Sequence, residues 1–186
     1  MSSQRDDYLR SVRIGEVKPH DAPIHLADYD SRWPSQYEEL ARLVSRSIPD
    51  QVMLLEHVGS TSVPGLAAKP IIDMVLAVPS SADEAAYVPR LEGEGFVLRI
   101  REPEWFQHRV LKFPQPAANL HVFPAACEEI ARMLKFRDWL RAHEDERLLY
   151  ERTKRDLARR TWRHVQDYAD AKTAVVREIL GRADVA

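Results

Sequence analysis

The stretch from residue 56 to residue 78 constrains the fold of this chain more than any other part of the sequence. It joins an apolar run ending at Val58 to a turn of small hydroxyl residues, and a β-branched run begins at Ile71. We interpret this order as strand, turn, short helix and strand. A glycine permits a tight turn, after which hydroxyl and backbone N–H groups are expected to face one point and hold a phosphate. The predicted phosphate-binding turn consists of Gly59, Ser60, Thr61 and Ser62.

Two charged side chains accompany this turn. Asp73 lies inside the second apolar run, where a buried carboxylate needs a partner or a cation, and this position indicates a metal site. Lys69 precedes Pro70 at the predicted end of the short helix. It is expected either to reach an anion held by the turn or to stabilise the C-terminus of the helix, where a cation is favoured.

Length and composition set the class of protein. The 186 residues suit one domain, or one domain with a helical annex. A formal net charge of −2, with acids interleaved among the bases of the late helices, does not demand nucleic acid as a partner. A polar N-terminus and the lack of an apolar run of about 18 residues predict neither export nor a membrane span. The lone cysteine, Cys127, excludes an internal disulfide and favours a reducing cytoplasm, whereas the oligomeric state is not encoded in any pattern we find.

Hydrophobic periodicity predicts the elements of an α/β core at 23–125, preceded by a flexible arm at 1–22. The core is expected to begin with a short edge strand and a helix, followed by a first central strand and the strand that carries Asp73. Pro89 marks a kink or a late start in a later helix. The predicted bounds are 23–27, Trp33–Ser47 and 51–58 for the first three elements, 84–93 for the later helix, and 96–100, 108–113 and 120–123 for a meander of strands.

The character of the sequence changes at residue 126, where the chain becomes charged, periodic and free of proline. We expect a segment at 126–186 with three amphipathic helices that pack on the core, the last helix being closed by Gly181. The predicted helices span 128–142, 145–160 and 164–180.

Known phosphate-binding motifs do not account for the turn. Gly59 and Gly65 are one residue too far apart for a P-loop, and Leu66 stands where that motif has lysine. A Gly-Ser turn with an acid on the following strand instead resembles the nucleotidyltransferase superfamily. The resemblance becomes specific for the GrpB family in the runs GSTSVPGLAAKPIID, YDSRWP, LHVFP and FRDWLRAH, and in Lys172 of YADAKTAVV.

The resemblance implies an α+β fold with a nucleotidyltransferase-like mixed β-sheet, flanked by helices and followed by a C-terminal helical segment. In that superfamily the Gly-Ser turn binds the phosphates of a nucleoside triphosphate, and acids on the following strands hold two divalent cations. In some bacteria a domain related to GrpB is joined to dephospho-coenzyme A kinase. This sequence departs from the pattern, because Val75 occupies the place of a second acid and Asn119 the place of a frequent histidine.

A substitute metal site is predicted from Asp73, His121 on a neighbouring strand, and Glu56 or His57 at the end of the first strand. Imidazole and carboxylate ligands suit Zn²⁺ or Mn²⁺, whereas oxygen ligands alone suit Mg²⁺. The alternative is that His57 and His121 are partly buried histidines hydrogen-bonded to the backbone.

Further cations are candidates for anion binding. Arg109 is expected to form an anion-binding rim with neighbouring arginines of the meander, or to lie on the solvated face of the sheet. Lys172 is singled out by the GrpB resemblance alone. The predicted nucleotide- or phosphate-binding residues thus also include Lys69, Arg109 and Lys172.

Three functions stay open at this point. The first is nucleotidyl transfer from a nucleoside triphosphate to an unidentified acceptor, with Asp73, Lys69 and His121 as catalytic residues and divalent cations as cofactors. The second is a non-catalytic module that binds a nucleotide or another phosphorylated small molecule. The third is a metal-dependent hydrolase built on Asp73 and His121.

Overall fold

The computed structural model describes residues 2–15 and 20–185, with side chains from Asp6 onward. These residues form five strands and seven helices, in the order that hydrophobic periodicity predicts for most of the chain. Two short 3₁₀ turns, Ser60–Ser62 and Glu84–Ala86, connect them. The strands are β1 (Leu54–Val58), β2 (Ile72–Val78), β3 (Val97–Glu102), β4 (His108–Phe113) and β5 (Ala118–Pro124). The helices are α1 (Ser2–Val12), α2 (Trp33–Ser47), α3 (Val88–Gly93), α4 (Glu128–Ala142), α5 (Glu144–Ala158), α6 (Val165–Ala171) and α7 (Thr173–Ala183).

The five strands form one mixed sheet in the order β1-β2-β5-β4-β3. The β2 and β5 strands pair in parallel, and the other three pairs are antiparallel. This arrangement confirms the predicted α+β class and the meander of β3, β4 and β5. The prediction of a central first strand is wrong, because β1 pairs with β2 alone among the described strands and forms one edge.

The two faces of the sheet are covered differently. Side chains alternate along β2, so that Met74 and Leu76 enter the main core beneath α2 and α3. Val75 and Ala77 point to the opposite face, where they pack with Ile130 of α4. The Asp73 side chain is on the same face as Val75 and Ala77, near the beginning of β2, but it is not part of their apolar cluster. The alternation therefore places the one acid of β2 on the side of the C-terminal helices.

Several boundaries differ from the predictions. Pro89 lies at the start of α3, so the helix begins late, as one of the two alternatives proposed. The helix expected at 164–180 is divided at Lys172 into α6 and α7, and Gly181 lies inside α7. No strand forms at 23–27, because Ala27 pairs with Ala68 through an isolated bridge and Ile24 donates its N–H to Ala158.

The described part of the arm predicted at 1–22 includes a helix, whereas Met1 and residues 16–19 of that arm lie outside the described residues. Residues 2–12 form α1, and Leu9 on this helix is buried. Beyond the helix, the Ile14 N–H donates to the carbonyl of Arg99 at 2.9 Å, which attaches the chain to β3. The described helices include none that is long and apolar enough to cross a membrane.

Candidate functional site

Gly59 brings the turn after β1 against the acid of β2. Its φ of +69° lies in the region that favours glycine. A Cβ atom at this position would lie 2.7 Å from Asp73 Oδ2 and 2.9 Å from Asp73 Cβ, which is closer than side chains tolerate. Backbone conformation and close approach therefore both require glycine, and they fix the turn beside the carboxylate.

Asp73 has two polar neighbours on β5. The parallel register places Asn119 opposite Asp73, and the Asn119 amide donates to Asp73 Oδ1 at 2.8 Å. The Nε2 atom of His121 lies 3.8 Å from the same oxygen. Burial acts to raise the pKa of Asp73, but the hydrogen bonds and charges of its neighbours outweigh it and lower the pKa below the ordinary value. Asp73 is therefore an ionised carboxylate.

A cavity of about 440 Å³ opens in front of Asp73, and its lining is strongly basic. Four of the five lysines within the described residues line it, although the chain has only six lysines beside 21 arginines. Asp73 is the single carboxylate among the described lining residues. The basic side chains of this cavity, here called the lysine cavity, are Arg13, Lys69, Lys112, Lys154 and Lys172.

Lys154 is the most buried cation of the lysine cavity. It extends from α5 to the turn, where its ammonium donates to Ser60 Oγ at 3.0 Å and to the carbonyl of Ala67. Burial lowers the pKa of Lys154 to about 7, because it penalises the charged form. The sequence predictions missed this residue. Its signal is the helical spacing with Tyr150 and Leu157, which puts a lysine on the buried stripe of α5.

The other three lysines approach from separate elements. Lys112 lies opposite Asn119 in the β4–β5 register, and Lys172 lies at the junction of α6 and α7. Burial lowers the pKa of Lys69, Lys112 and Lys172, and the charge of Asp73 partly opposes this effect. Lys69 belongs to no helix, so the alternative that it caps a helix C-terminus is wrong.

The hydroxyl groups of the turn do not converge as predicted. Thr61 donates its hydroxyl to the Ile71 carbonyl at 3.2 Å, and Ser62 donates to the Gly59 carbonyl at 2.6 Å. Both side chains are buried, and Ser62 is absent from the described lining of the cavity. Ser60 instead presents its hydroxyl to Lys154. Gly59, Ser60 and Thr61 line the cavity, but the hydroxyl groups of Thr61 and Ser62 are directed to backbone carbonyls rather than to a point shared with Ser60.

Of the four predicted metal ligands, the structure brings Asp73 and His121 together, but not Glu56 or His57. Glu56 accepts a hydrogen bond from Arg137 at 2.8 Å. His57 lies on the opposite face of the sheet, because it pairs with Met74 rather than with Asp73. There it is hydrogen-bonded to the Thr61 hydroxyl at 3.0 Å and stacks on a tyrosine. Burial lowers the pKa of His57 to about 4, so the ring is neutral.

The remaining donors do not fit a pair of divalent cations. Within the described ranges no group of three histidine, cysteine, aspartate or glutamate side chains could hold a metal ion. Val75, at the expected position of a second acid, is buried with Phe123 and Ile130. The side-chain neighbours of Asp73 are therefore the Asn119 amide and the His121 ring, and four lysines line the same cavity.

Arg109 lies outside the cavity and does not form an anion-binding rim. The β4–β5 register pairs it with Val122, on the face opposite His121. Its guanidinium is buried and donates to Glu84 at 2.5 Å and to the carbonyls of Gln107 and His108. The side chain is thus neutralised within the fold. Neither of the two predicted roles, rim or solvated face, describes it.

His121 is also part of a series of polar side chains that sequence reasoning did not find. Its Nδ1 atom lies 3.0 Å from Nε2 of His108, and Nδ1 of His108 lies 2.7 Å from Glu102. A second cavity of about 410 Å³ adjoins the first, and His121 lines both. The side chains of Trp105 and Phe123 give the second cavity an aromatic wall.

Comparison with known proteins connects this geometry to a family. A UPF0157 protein of Halalkalibacterium halodurans is 54% identical over 179 residues, which cover 96% of this chain and 92% of that protein. Dephospho-CoA kinase of Mycolicibacterium paratuberculosis is 29% identical, and the match covers 87% of this chain and 46% of the kinase.

Among solved structures, the conserved protein GrpB from Enterococcus faecalis superposes with a TM-score of 0.73 at 28% identity, over 86% of this chain and 96% of that chain. The sequence model for GrpB protein matches residues 23–182, which include the turn, Asp73, His121 and the lysines of the cavity. The chain therefore belongs to the GrpB family.

Proposed function

We propose that the lysine cavity binds the phosphate groups of a phosphorylated small molecule, such as a nucleoside triphosphate, without a resident metal pair. The observation that carries the proposal is the convergence of four lysines and Arg13 on a cavity with one described carboxylate. The formal net charge of the whole chain is −2, so this concentration of positive charge is local. A cleft lined by one sign of charge raises the local concentration of an oppositely charged ligand.

The environment of the cavity lysines supports an anion as the occupant. The lysines are partly desolvated, which strengthens their attraction for phosphate oxygens.

The geometry favours binding over nucleotidyl transfer by two metal ions. Such transfer requires carboxylates that share the metals on one face of the site. Here Asp73 stands alone, its partner position holds Val75, and Asn119 donates an amide hydrogen towards it. The same lack of donors weighs against a metal-dependent hydrolase built on Asp73 and His121. Binding of the phosphates by lysine needs neither arrangement.

The test is isothermal titration of the protein with ATP and with tripolyphosphate, each in Mg²⁺ buffer and in EDTA. We expect saturable binding of both ligands in EDTA, because the lysines supply the positive charge. Lys172→Met is expected to weaken binding about tenfold, since loss of one partly buried charge contact amounts to about 1.5 kcal/mol. Circular dichroism and the melting temperature of the variant show whether its fold is retained.

Lys135 provides a matched control, because it is the one described lysine outside the cavity and pairs with Asp184 on the surface. Lys135→Met should leave the affinity unchanged. Equal weakening by Lys135→Met and Lys172→Met would indicate general charge attraction and would contradict a defined site. Binding that vanishes in EDTA would contradict recognition without metal.

A further inference from the structure

Three side chains form a hydrogen-bonded series that ends in the lysine cavity. Glu102 on β3 accepts from Nδ1 of His108 on β4 at 2.7 Å, and it also accepts from the Tyr8 hydroxyl of α1. The Nε2 atom of His108 lies 3.0 Å from Nδ1 of His121 on β5. His108 is buried, whereas the His121 side chain is 23% exposed and faces both cavities.

The series determines which ring nitrogens carry hydrogen. Hydrogen bonds from His108 and Tyr8 offset the effect of burial and keep the pKa of Glu102 below its ordinary value, so Glu102 is an ionised acceptor. His108 must therefore carry its hydrogen on Nδ1. Burial lowers the pKa of His108, and its neutral ring then offers a lone pair on Nε2. For that lone pair to accept a hydrogen bond from His121, the hydrogen of His121 must be on Nδ1.

In a neutral His121 ring, the remaining lone pair is then on Nε2, the nitrogen that lies 3.8 Å from Asp73 Oδ1. If this nitrogen takes up a proton, the resulting imidazolium is stabilised by the neighbouring carboxylate of Asp73. His121 lines both cavities and its side chain is 23% exposed, so a water molecule can reach the ring. The arrangement therefore has a proton acceptor, a group that stabilises its charged form, and a place for phosphate.

We propose that His121 is a general base that deprotonates a water molecule for attack on a phosphorus atom of the bound ligand, with Glu102 and His108 as positioning residues. This inference rests on the proposed function. The water oxygen forms a new O–P bond, and its proton passes to His121 Nε2. The P–O bond to the leaving group breaks, and the leaving oxygen keeps the electron pair beside the lysine ammonium groups. No oxidant or metal enters the step.

The first test determines the tautomer of His121 by ¹⁵N NMR of the full chain labelled at histidine. The signals are assigned by comparison with His121→Gln. We expect a protonated Nδ1 and an unprotonated Nε2 in the native protein. We expect Glu102→Leu to give a mixture of tautomers, because His108 loses the acceptor that orders it. A hydrogen on Nε2 of native His121 would overturn the inference.

The second test measures phosphate release from ATP in EDTA by ³¹P NMR, together with ATP binding. Native protein should release phosphate or diphosphate, and His121→Gln should lower the rate by about 100-fold or more while retaining the affinity. Glu102→Leu should also slow release without weakening binding, an effect that a purely structural role of Glu102 does not produce in a folded variant. ATP binding without release would refute the chemical step alone, whereas absence of ATP binding would refute the proposed function as well.

Discussion

Two buried cations, Arg109 and Lys154, have opposite surroundings. Arg109 is 4% exposed and donates to the Glu84 carboxylate at 2.5 Å. Lys154 is 2% exposed and donates to two neutral oxygens, of Ser60 and Ala67. The charge of Arg109 is neutralised by the fold, while that of Lys154 has no carboxylate among these hydrogen-bond partners.

The choice of residue follows from this difference. Arginine remains protonated in proteins, so a buried arginine requires a built-in counter-charge. Lysine sheds its proton when burial makes the ammonium unfavourable, as the lowered pKa of Lys154 reflects. A cavity of lysines therefore persists without a ligand at a smaller free-energy cost than a cavity of arginines. The rarity of lysine elsewhere in the described chain agrees with this division.

Replacing Lys154 by arginine should have the largest effect of the substitutions that test this difference between buried lysine and buried arginine. Lys154→Arg should reduce the free energy of unfolding by about 3 kcal/mol, because a larger and permanently charged group enters a packed site. Lys154→Met should change it far less, since it removes the charge at similar length. Urea denaturation of the ligand-free proteins measures both effects. Equal destabilisation by the two variants would show that the shape of the side chain at position 154, rather than its charge, determines the stability.

The reverse exchange at Arg109 should have a smaller effect. Arg109→Lys keeps the charge but loses the fork of N–H donors that reaches Glu84 and two backbone carbonyls. We expect a loss of about 1–2 kcal/mol in the free energy of unfolding, because one ammonium cannot satisfy all these acceptors. Arg42→Lys on the exposed surface of α2 is the control and should be nearly neutral. A neutral Arg109→Lys would contradict the assigned role of the guanidinium.

Proton uptake on binding provides the finest test. Since the pKa of Lys154 is lowered to about 7, most molecules carry the neutral amine near pH 8. A bound phosphate favours the ammonium and raises this pKa, so tripolyphosphate binding should take up as much as one proton. Near pH 6 the amine is already protonated, and this contribution should disappear.

Calorimetry in two buffers with different ionisation enthalpies measures this uptake. A Lys154→Met variant that still binds tripolyphosphate should lack the proton uptake that Lys154 contributes near pH 8. Uptake that is the same in native protein and variant would place the titrating group elsewhere.

The sequence predicted the elements well where periodicity was strong. The bounds of Trp33–Ser47, His108–Phe113 and Glu128–Ala142 agree with the structure, because each has a sustained pattern between clear breaks. The segment at 23–27 was wrongly predicted as a strand, since local β-propensity does not reveal whether a partner strand is available. The conformation of this segment depends on its contacts with distant parts of the chain, such as the isolated bridge between Ala27 and Ala68.

The site was predicted only in part. Asp73, Lys69 and His121 line the cavity, as expected from the turn and its neighbouring strands. Glu56 was expected near Asp73 but pairs with Arg137 of α4, an interaction between residues 81 positions apart. Lys154 was missed for the same reason, because the docking of α5 on the turn has no local signature beyond one charged residue on an apolar stripe.

The contact of Lys154 with the turn links two parts of the chain thermodynamically. Asp73 and Ser60 belong to the sheet region, whereas Lys154 and Lys172 belong to the C-terminal helices. A ligand that touches both regions adds its binding free energy to the free energy that keeps the helices docked. Amide hydrogen exchange in α5 and α6 should consequently slow as the cavity fills, because local opening of these helices would then require ligand release. Ligand binding in the cavity and docking of the C-terminal helices on the sheet are thus thermodynamically linked.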